Sequence, residues 1–184
     1  MSESIGVPQH VGTLSGYPLG SANALLLGEG ERTPLPTILD RGVDIDLLRG
    51  HEETQSDHLE KLSHEIAMDG FLRRPIVADL QTHVILDGHH RVGALKTLGC
   101  VKVPVYFVDY LSPFIEVRPW REGEQVTKEI VLNAGLRGPR LPPKTTKHMI
   151  RMLRSFRHIT AIEVELNIPL DELRPAGLCK GPQS

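Results

Sequence analysis

The sequence predicts an α+β fold, because short strand-like segments alternate along the chain with segments of helical periodicity. β-branched and apolar residues form the strand-like segments, which lie at 43–47, 75–78, 84–86 and 101–110. Apolar residues recur at helical spacing over 57–69 and again from Val92 to Leu98. Since 40% of the 184 residues are hydrophobic, the chain can build the core of one domain, or at most of two very small ones.

The domain organisation follows from a change in composition near residue 40. Residues 1–40 are rich in Gly, Pro and Ser, and prolines such as Pro18 in Tyr17-Pro18 interrupt any long element. Within this stretch, 23–27 could form one short strand or a turn. We therefore expect an N-terminal extension over 1–40, wrapped on the core or partly disordered, and a folded domain over 41–184.

Charge and cysteine content exclude several functional classes. A net charge of -2 gives no general basic field, so non-specific nucleic-acid binding is not expected. Cys100 and Cys179 lie far apart without metal-ligand spacing, which is typical of a reducing cytoplasm. The chain shows no signal-peptide pattern and no segment of transmembrane length, so we expect a cytoplasmic protein that does not contact membranes.

The first predicted helix covers 57–69 and follows a half-buried strand at 43–47. Its apolar stripe consists of three residues, Leu59, Leu62 and Ile66. Residues that can cap and end it stand at the expected places, namely Ser56 or Asp57 before it and Gly70 after it. This pattern is typical of an amphipathic helix that packs on a sheet.

The most informative stretch is Asp87-Gly88-His89-His90-Arg91, between a predicted strand and a predicted helix. A helix beginning among Gly88, His89, His90 and Arg91 presents unpaired N–H groups and the positive end of its dipole, which together bind anions such as phosphate. Gly88 permits close approach, and Arg91 can grip phosphate oxygens with a bidentate fork. Asp87, a carboxylate beside an anion site, would hold a metal ion or manage a proton.

An ordinary turn remains the alternative for this stretch. Asp-Gly followed by polar residues also begins many helices, and Asp87 would then be the N-cap. Three consecutive side chains able to carry positive charge favour the anion site instead, because a structural turn does not need them.

A second group of polar residues, His51-Glu52, lies between the first strand and the first helix. A hydroxyl becomes a good nucleophile when a base accepts its proton, and a carboxylate near a transferable phosphoryl group can do so. Glu52 is the candidate base, and Glu53 is the alternative if the turn differs by one residue. A solvated loop carboxylate without a function is the other interpretation.

The segment Pro142-Pro143-Lys144-Thr145-Thr146-Lys147-His148 precedes a stripe of apolar residues at helical spacing. We expect Thr145 or Thr146 to cap a helix over 145–156, with its stripe formed by Met149, Met152, Leu153 and Phe156. Such a helix start would offer N–H groups, hydroxyls and lysines to a carboxylate or phosphate. A further helix is expected over 125–134, with Val126, Ile130 and Val131 inward and Gly135 at its end, and a strand over 159–166.

Asp87-Gly88-His89-His90-Arg91, followed by Ala94-Leu95 and Gly99, resembles the signature of the ParB/sulfiredoxin-like fold. It resembles most closely the free L-serine kinases on that fold, which make O-phosphoserine from serine and a nucleotide. The resemblance implies a nucleotide-binding domain with a small mixed sheet flanked by short helices. Sulfiredoxins carry a cysteine where this chain has His89, so sulfiredoxin chemistry is not expected.

The same resemblance implies residue roles. Gly88, His89, His90 and Arg91 would bind the phosphates of ADP or ATP, and Glu52 would be the base. The amino-acid pocket would be formed by Trp120, Lys144, Thr145, Thr146 and His148. Residues 143–148 resemble a Pro-Lys-Thr-Thr-Arg-His segment with which these kinases bind the substrate, but Lys147 replaces its arginine. A second departure is His58, which stands where the kinases carry another glutamate that contacts the amino acid. Either that contact is made otherwise or the acceptor is not serine itself.

The sequence therefore predicts a small-molecule kinase that transfers a phosphoryl group from ATP or ADP to free L-serine or a related hydroxy amino acid such as threonine. Mg²⁺ is the expected metal, held at Asp87 through water or phosphate. The alternative from another class is a ParB-like nucleotide-binding regulator or DNA-binding module, for which the helices predicted at 125–134 and 145–156 would serve. A third interpretation is a metal site built from His51, His58, His89 and His90.

Overall fold

A computed structural model describes residues 37–152 and 155–175, together with Leu35 and two short strands at 26–27 and 31–32. The strands are β1 (Leu26–Leu27), β2 (Glu31–Arg32), β3 (Thr37–Asp44), β4 (Phe71–Leu72), β5 (Ile76–Asp79), β6 (Ile85–Asp87), β7 (Lys102–Val108), β8 (Ile115–Pro119), β9 (Thr146–Arg151), β10 (Phe156–His158) and β11 (Ile168–Pro169). The α-helices are α1 (Ser56–Asp69), α2 (His89–Thr97), α3 (Lys128–Arg137) and α4 (Leu170–Leu173).

A four-stranded mixed sheet with the order β3-β7-β5-β6 forms the centre of the molecule. β7 runs parallel to β5 and antiparallel to β3, and β5 pairs antiparallel with β6. A second, antiparallel sheet has the order β10-β9-β8. The α+β fold with a small mixed sheet and short helices is therefore confirmed.

Both faces of the central sheet are covered, as the alternation along β7 shows. Val103, Val105 and Phe107 pack in one core cluster with residues of α1, α2 and α4. Tyr106 and Val108 point to the other face, where the cluster contains residues of α3, β8 and β9. The two clusters hold α1, α2 and α4 on one side of the central sheet, and α3 with the second sheet on the other. None of the described helices is long and apolar enough to cross a bilayer.

The predicted helix over 57–69 begins one residue earlier, and Gly70 ends it in the left-handed conformation, with φ of 76°. Gln55 is its N-cap and makes no side-chain capping bond, so the capping roles expected of Ser56 or Asp57 are wrong. Ile66 is buried, and Leu59 and Leu62 pack partly buried against the same cluster.

The first sheet strand lies earlier than predicted. β3 covers 37–44, and a 3₁₀ turn occupies 45–47, where the prediction continued the strand. The side chain of Asp44 accepts the N–H of Asp46 at 3.0 Å, which bends the chain away from the sheet. Leu35, which precedes the strand, is buried in the core. Of the predicted short strand at 23–27, residues 23–25 lie outside the described part of the chain.

The helix predicted over 145–156 is wrong, because 146–151 form strand β9 between β8 and β10. The helix predicted over 125–134 begins later, at Lys128, where the Thr127 hydroxyl caps the N–H of Ile130 at 3.1 Å. Ile130 is exposed rather than inward, and the helix continues past Gly135 to Arg137.

The strand predicted over 159–166 is also wrong. A 3₁₀ turn occupies 159–162 and buries both Ile159 and Ile162, after which the chain extends toward β11. The N–H of Leu166 bonds to the carbonyl of Arg73 at 2.8 Å, so the segment is held by a loop rather than by a sheet.

Candidate functional site

A cleft of about 600 Å³ opens where the N-terminus of α2, the loop after β3 and the start of β9 meet. Nearly all the residues predicted for the site line this one cleft: Glu52, Asp87, Gly88, His89, His90, Arg91, Trp120, Lys144, Thr146 and His148. They come from segments far apart in the chain, and the central sheet brings them together. Thr145 is the exception, since its hydroxyl donates to the Pro142 carbonyl at 2.8 Å and closes the turn before β9.

Gly88 shapes the turn that leads into α2. Its φ of 101° lies in the left-handed region, which other residues adopt at a cost. A Cβ atom at this position would stand 2.5 Å from the side chain of Ile76. Gly88 is the N-cap, and no side-chain capping bond is made there, so the alternative in which Asp87 caps the helix is wrong. The turn before α2 therefore requires glycine at position 88, both for its φ and for its close contact with Ile76.

His89 and His90 are both held by backbone N–H groups of the loop that carries Glu52. The N–H of His51 donates to Nε2 of His89 at 3.3 Å, and the N–H of Gln55 donates to Nε2 of His90 at 3.1 Å. Burial, with charges nearby, lowers the pKa of both imidazoles, and that of His89 falls well below its ordinary value. The neutral His89 thus contributes a donor but not the positive charge that the sequence suggested.

Arg91 lies differently from the expected phosphate fork. Its guanidinium bonds to the Asp87 carboxylate and to the Pro75 carbonyl, and it pairs with Glu163 at 2.8 Å. The Glu163 side chain is only 1% exposed, and burial raises its pKa. In this structure Arg91 and Asp87 therefore neutralise each other at the edge of the cleft and tie α2 to the segment after β10.

Glu52 is the carboxylate at the centre of the site. It accepts the N–H of Thr146 at 2.6 Å, the hydroxyl of the same residue, and the N–H of Lys144 at 3.1 Å. Burial opposes its ionisation, but the interactions with His51 and Thr146 outweigh burial and hold the pKa of Glu52 below the ordinary value. Glu52 is thus an ionised, firmly oriented carboxylate, whereas its neighbour Glu53 is exposed at the rim of the same cleft.

The residues at the start of β9 hold Glu52 and do not form the predicted N-terminus of a helix. The N–H groups of Lys144 and Thr146 donate to Glu52 and not into the open cleft. The ring of His148 is 2% exposed; it donates to the Leu86 carbonyl and accepts the Tyr110 hydroxyl at 3.0 Å. Burial lowers the pKa of His148 and raises that of Tyr110, so both are neutral. These residues orient one another below the cleft.

Trp120 and two lysines form the outer wall. Trp120 is half exposed, and the Lys147 ammonium lies 4.8 Å from the centre of its ring in a cation–π contact. The N–H of Trp120 bonds to the Thr145 carbonyl at 3.2 Å, which fixes β8 against β9. Lys144 lines the cleft as well. This wall can contact both an apolar stem and a carboxylate.

Sequence reasoning missed several residues of the cleft. His158 and Thr160 line it from β10 and the turn after it, and Glu163 lies behind Arg91. Thr160 and Glu163 fall in the segment that was predicted as a plain strand, and His158 directly precedes it; no motif marks any of them. His58, noted as a departure, stacks on His90 with ring centroids 4.4 Å apart.

The metal site predicted from four histidines is not formed. His51 contacts His89 edge to face at 4.6 Å, while His58 and His90 form a separate stack. Within the described ranges, no three His, Cys, Asp or Glu side chains are grouped to hold a metal ion. The DNA-binding alternative also loses the helix predicted over 145–156, since 146–151 form β9 and β10 begins at Phe156.

The chain resembles serine kinases in sequence over part of its length. It is 33% identical over 82 residues to an ATP-dependent L-serine kinase of Staphylothermus marinus, a match covering 42% of this chain and 32% of that protein. It is 28% identical over 82 residues to an ADP-dependent L-serine kinase of Thermococcus kodakarensis, covering 42% and 34%. The chain thus spans about a third of the length of the curated relatives it matches. No family model matches it.

The fold is shared with a solved structure over most of both chains. A free serine kinase in complex with AMP superposes with a TM-score of 0.60 at 16% identity, covering 74% of this chain and 93% of that one. At this identity the likeness shows the fold alone. The sequence matches confirm the resemblance to the L-serine kinases that the stretch beginning at Asp87 indicated.

Proposed function

We propose that this protein is a small-molecule kinase that transfers a phosphoryl group from ATP or ADP to the side-chain hydroxyl of free L-serine or a related hydroxy amino acid. One observation carries the proposal: an oriented, ionised carboxylate and the N-terminus of a helix face the same cleft. The first can accept a hydroxyl proton and the second can bind phosphate. The matched L-serine kinases support serine as the acceptor.

The nucleotide phosphates would lie on the first turn of α2. Gly88 lines the cleft at the start of this turn, and the helix N-terminus attracts the phosphate charge. His89 and His90 would donate to phosphate oxygens through the ring nitrogens that the loop backbone does not occupy. Arg91 would set the position of this turn through its pairs with Asp87 and Glu163, and it would add its charge to the phosphates from the edge.

The acceptor would lie between Glu52 and the wall formed by Trp120 and Lys144. Glu52 would take the hydroxyl proton, held in place by the N–H groups of Lys144 and Thr146. The two lysines of the wall would pair with the acceptor carboxylate, while Thr145 and His148 would support the pocket from behind. Phosphoryl transfer has a loose transition state, so such positioning contributes most of the rate.

The residues present fit one Mg²⁺ ion only in part. Mg²⁺ is usually bound by one or two carboxylates together with substrate phosphates and water. Asp87 is the carboxylate beside the proposed phosphate turn, and it would hold the ion while remaining paired with Arg91. The ion would neutralise phosphate charge. A cytoplasmic location is part of the same proposal.

The experiment is a matrix of donors and acceptors. Purified protein with Mg²⁺ is incubated with ATP or ADP and, in turn, with serine, threonine and homoserine, and the phosphorylated amino acid is measured by mass spectrometry. We expect O-phosphoserine with one of the two donors. Nucleotide binding by calorimetry without any phosphorylated product would instead favour the ParB-like binding module.

A further inference from the structure

The imidazole of His51 has no role in the function proposed above, although it lies directly behind the candidate base. It is completely buried. Its Nδ1 lies 2.7 Å from the Ile85 carbonyl, and its Nε2 lies 2.8 Å from the Thr146 hydroxyl. The same hydroxyl also bonds to the Glu52 carboxylate. Glu52, Thr146 and His51 thus form an unbroken chain from the cleft into the core.

Counting hydrogens shows how many protons this series of hydrogen-bonded groups can hold. A carbonyl oxygen only accepts, so Nδ1 of His51 carries a hydrogen whatever the charge of the ring. The Thr146 hydroxyl has one hydrogen and cannot donate to both neighbours. Both remaining contacts are hydrogen bonds at once only if Glu52 or Nε2 of His51 also carries a proton. The three groups therefore share a place for one proton beyond the hydroxyl's own.

The surroundings of Glu52 show why a second proton acceptor is needed. Its carboxylate accepts two N–H groups and one hydroxyl, which favour its ionised form. A carboxylate stabilised in this way is a weak base by itself. A path that removes the proton from Glu52 would restore its ability to accept one from a substrate hydroxyl.

We propose that the general base is a relay of Glu52, Thr146 and His51, in which His51 is the final proton acceptor; this deepens the kinase function proposed above and rests on it. The acceptor O–H bond breaks as its oxygen bonds to phosphorus, and the leaving nucleotide keeps the electron pair of the broken P–O bond. The proton goes to Glu52, then to the Thr146 oxygen, while the hydrogen of Thr146 moves to Nε2 of His51. The carboxylate and the hydroxyl are regenerated, and after the product leaves, the proton returns from His51 through Thr146 and Glu52 to water in the open cleft.

The other groups that face His51 leave it free for this role. They are His89 from α2 at 4.6 Å, His148 from β9 at 5.5 Å, and the Glu52 carboxylate at 3.7 Å. Both neighbouring imidazoles bond to other groups. His89 accepts the backbone N–H of His51, and His148 bonds to the Tyr110 hydroxyl and the Leu86 carbonyl. Neither of them bonds to the Thr146 hydroxyl, which Nε2 of His51 contacts.

The first test follows the proton directly and needs no enzymatic activity. In protein with ¹⁵N-labelled histidine, His51 is assigned with His51→Gln, and its two nitrogens are titrated by NMR. We expect Nδ1 to stay protonated throughout and Nε2 to titrate, with the midpoint moved by about one pH unit or more in Thr146→Val and in Glu52→Gln. The same titration curve for His51 in all three proteins would overturn the relay.

The second test measures catalysis. Thr146→Val removes only the hydroxyl, so turnover should fall on the order of tenfold to a hundredfold while nucleotide affinity is kept, and the acid limb of the pH profile of kcat should move. Thr146→Ser keeps the hydroxyl and should recover most of the turnover. A Thr146→Val enzyme with wild-type turnover and pH profile would refute the relay alone. A wild-type protein without turnover would refute the kinase proposal, and the NMR titration would still decide where the proton resides.

Discussion

Gly88 fixes the position of the cleft through one dihedral angle and one close contact. Replacement by Ala would force a Cβ against Ile76 and would leave the left-handed φ unfavourable. We expect Gly88→Ala to lower the free energy of unfolding by about 2–4 kcal/mol, combining overpacking with backbone strain. Urea denaturation measures this.

Gly70 provides the matched control for that substitution. It has a similar φ of 76°, but nothing lies within 4 Å of the position its Cβ would take. Gly70→Ala should therefore cost only the backbone term, about 1–2 kcal/mol. Equal losses in the two variants would show that the contact with Ile76 does not matter.

For single residues, the sequence predicted the positions of the site residues better than their protonation states and ion pairs. The Asp-Gly dipeptide after an apolar run was sufficient to predict the turn at Gly88. The neutral state of His89 could not be predicted, because it depends on a backbone N–H donated from residue 51, far away in the chain. The engagement of Arg91 with Glu163 was equally hidden, since the pair spans 72 positions.

Trp120 makes a prediction about the acceptor. If its half-exposed ring forms the wall of the amino-acid pocket, Trp120→Ala should raise the KM for serine on the order of tenfold, the loss of roughly 1–2 kcal/mol of contact. The nucleotide KM should be unchanged, since the proposed phosphate site is the first turn of α2, whereas Trp120 follows β8. Steady-state kinetics with each substrate varied tests this, with Trp120→Phe as the conservative control; a selective effect on the nucleotide would contradict it.

Among the elements, β9 shows where pattern recognition failed. Met149, Met152 and Phe156 recur at helical spacing, but Thr146, His148 and Ile150 also alternate, and all three are buried. The strand forms because β8 and β10 pair with both of its edges, and that pairing satisfies its backbone. The partners of a strand cannot be found in the local sequence, so the helical spacing was misleading.

The ion pair between α2 and the segment after β10 gives a prediction at the scale of elements. Arg91→Ala would leave the buried Glu163 carboxylate without its partner, so we expect the free energy of unfolding to fall by about 3–5 kcal/mol. Chemical denaturation measures the change. Arg73, whose pair with Asp69 is exposed, provides the control, and Arg73→Ala should have little effect. Similar losses in the two variants would contradict the structural role of Arg91.

The order of elements around the central sheet was predicted well from strand and helix periodicity, because β5 and β7 are buried on both faces and the helices pack on one. The second sheet was not predicted, since it is built from short, partly polar strands. This sheet contributes Thr146 and His148 to the cleft, and Trp120 directly follows β8. These three residues could be named from motifs but not placed in space.

For the whole molecule, the buried histidines predict a dependence of stability on pH. The pKa of His148, like that of His89, is well below 6.5 in the folded protein, whereas the unfolded chain binds protons near pH 6.5. The unfolded state therefore holds more protons as the pH falls below about 6.5, and the free energy of unfolding decreases, by up to roughly 1.4 kcal/mol per pH unit for His148. Urea denaturation at pH 7.5 and 5.5 measures this, and equal stabilities would contradict it.

The measurement that tests the account most directly is phosphorus NMR of the wild-type protein beside Glu52→Gln and Glu53→Gln, each with Mg²⁺, serine and the nucleotide donor. We predict a phosphomonoester signal for the wild type and for Glu53→Gln, and a loss on the order of a hundredfold or more for Glu52→Gln with nucleotide binding retained. Absence of the signal in the wild type with both ATP and ADP would contradict the kinase. An equal signal from Glu52→Gln would contradict Glu52 as its base.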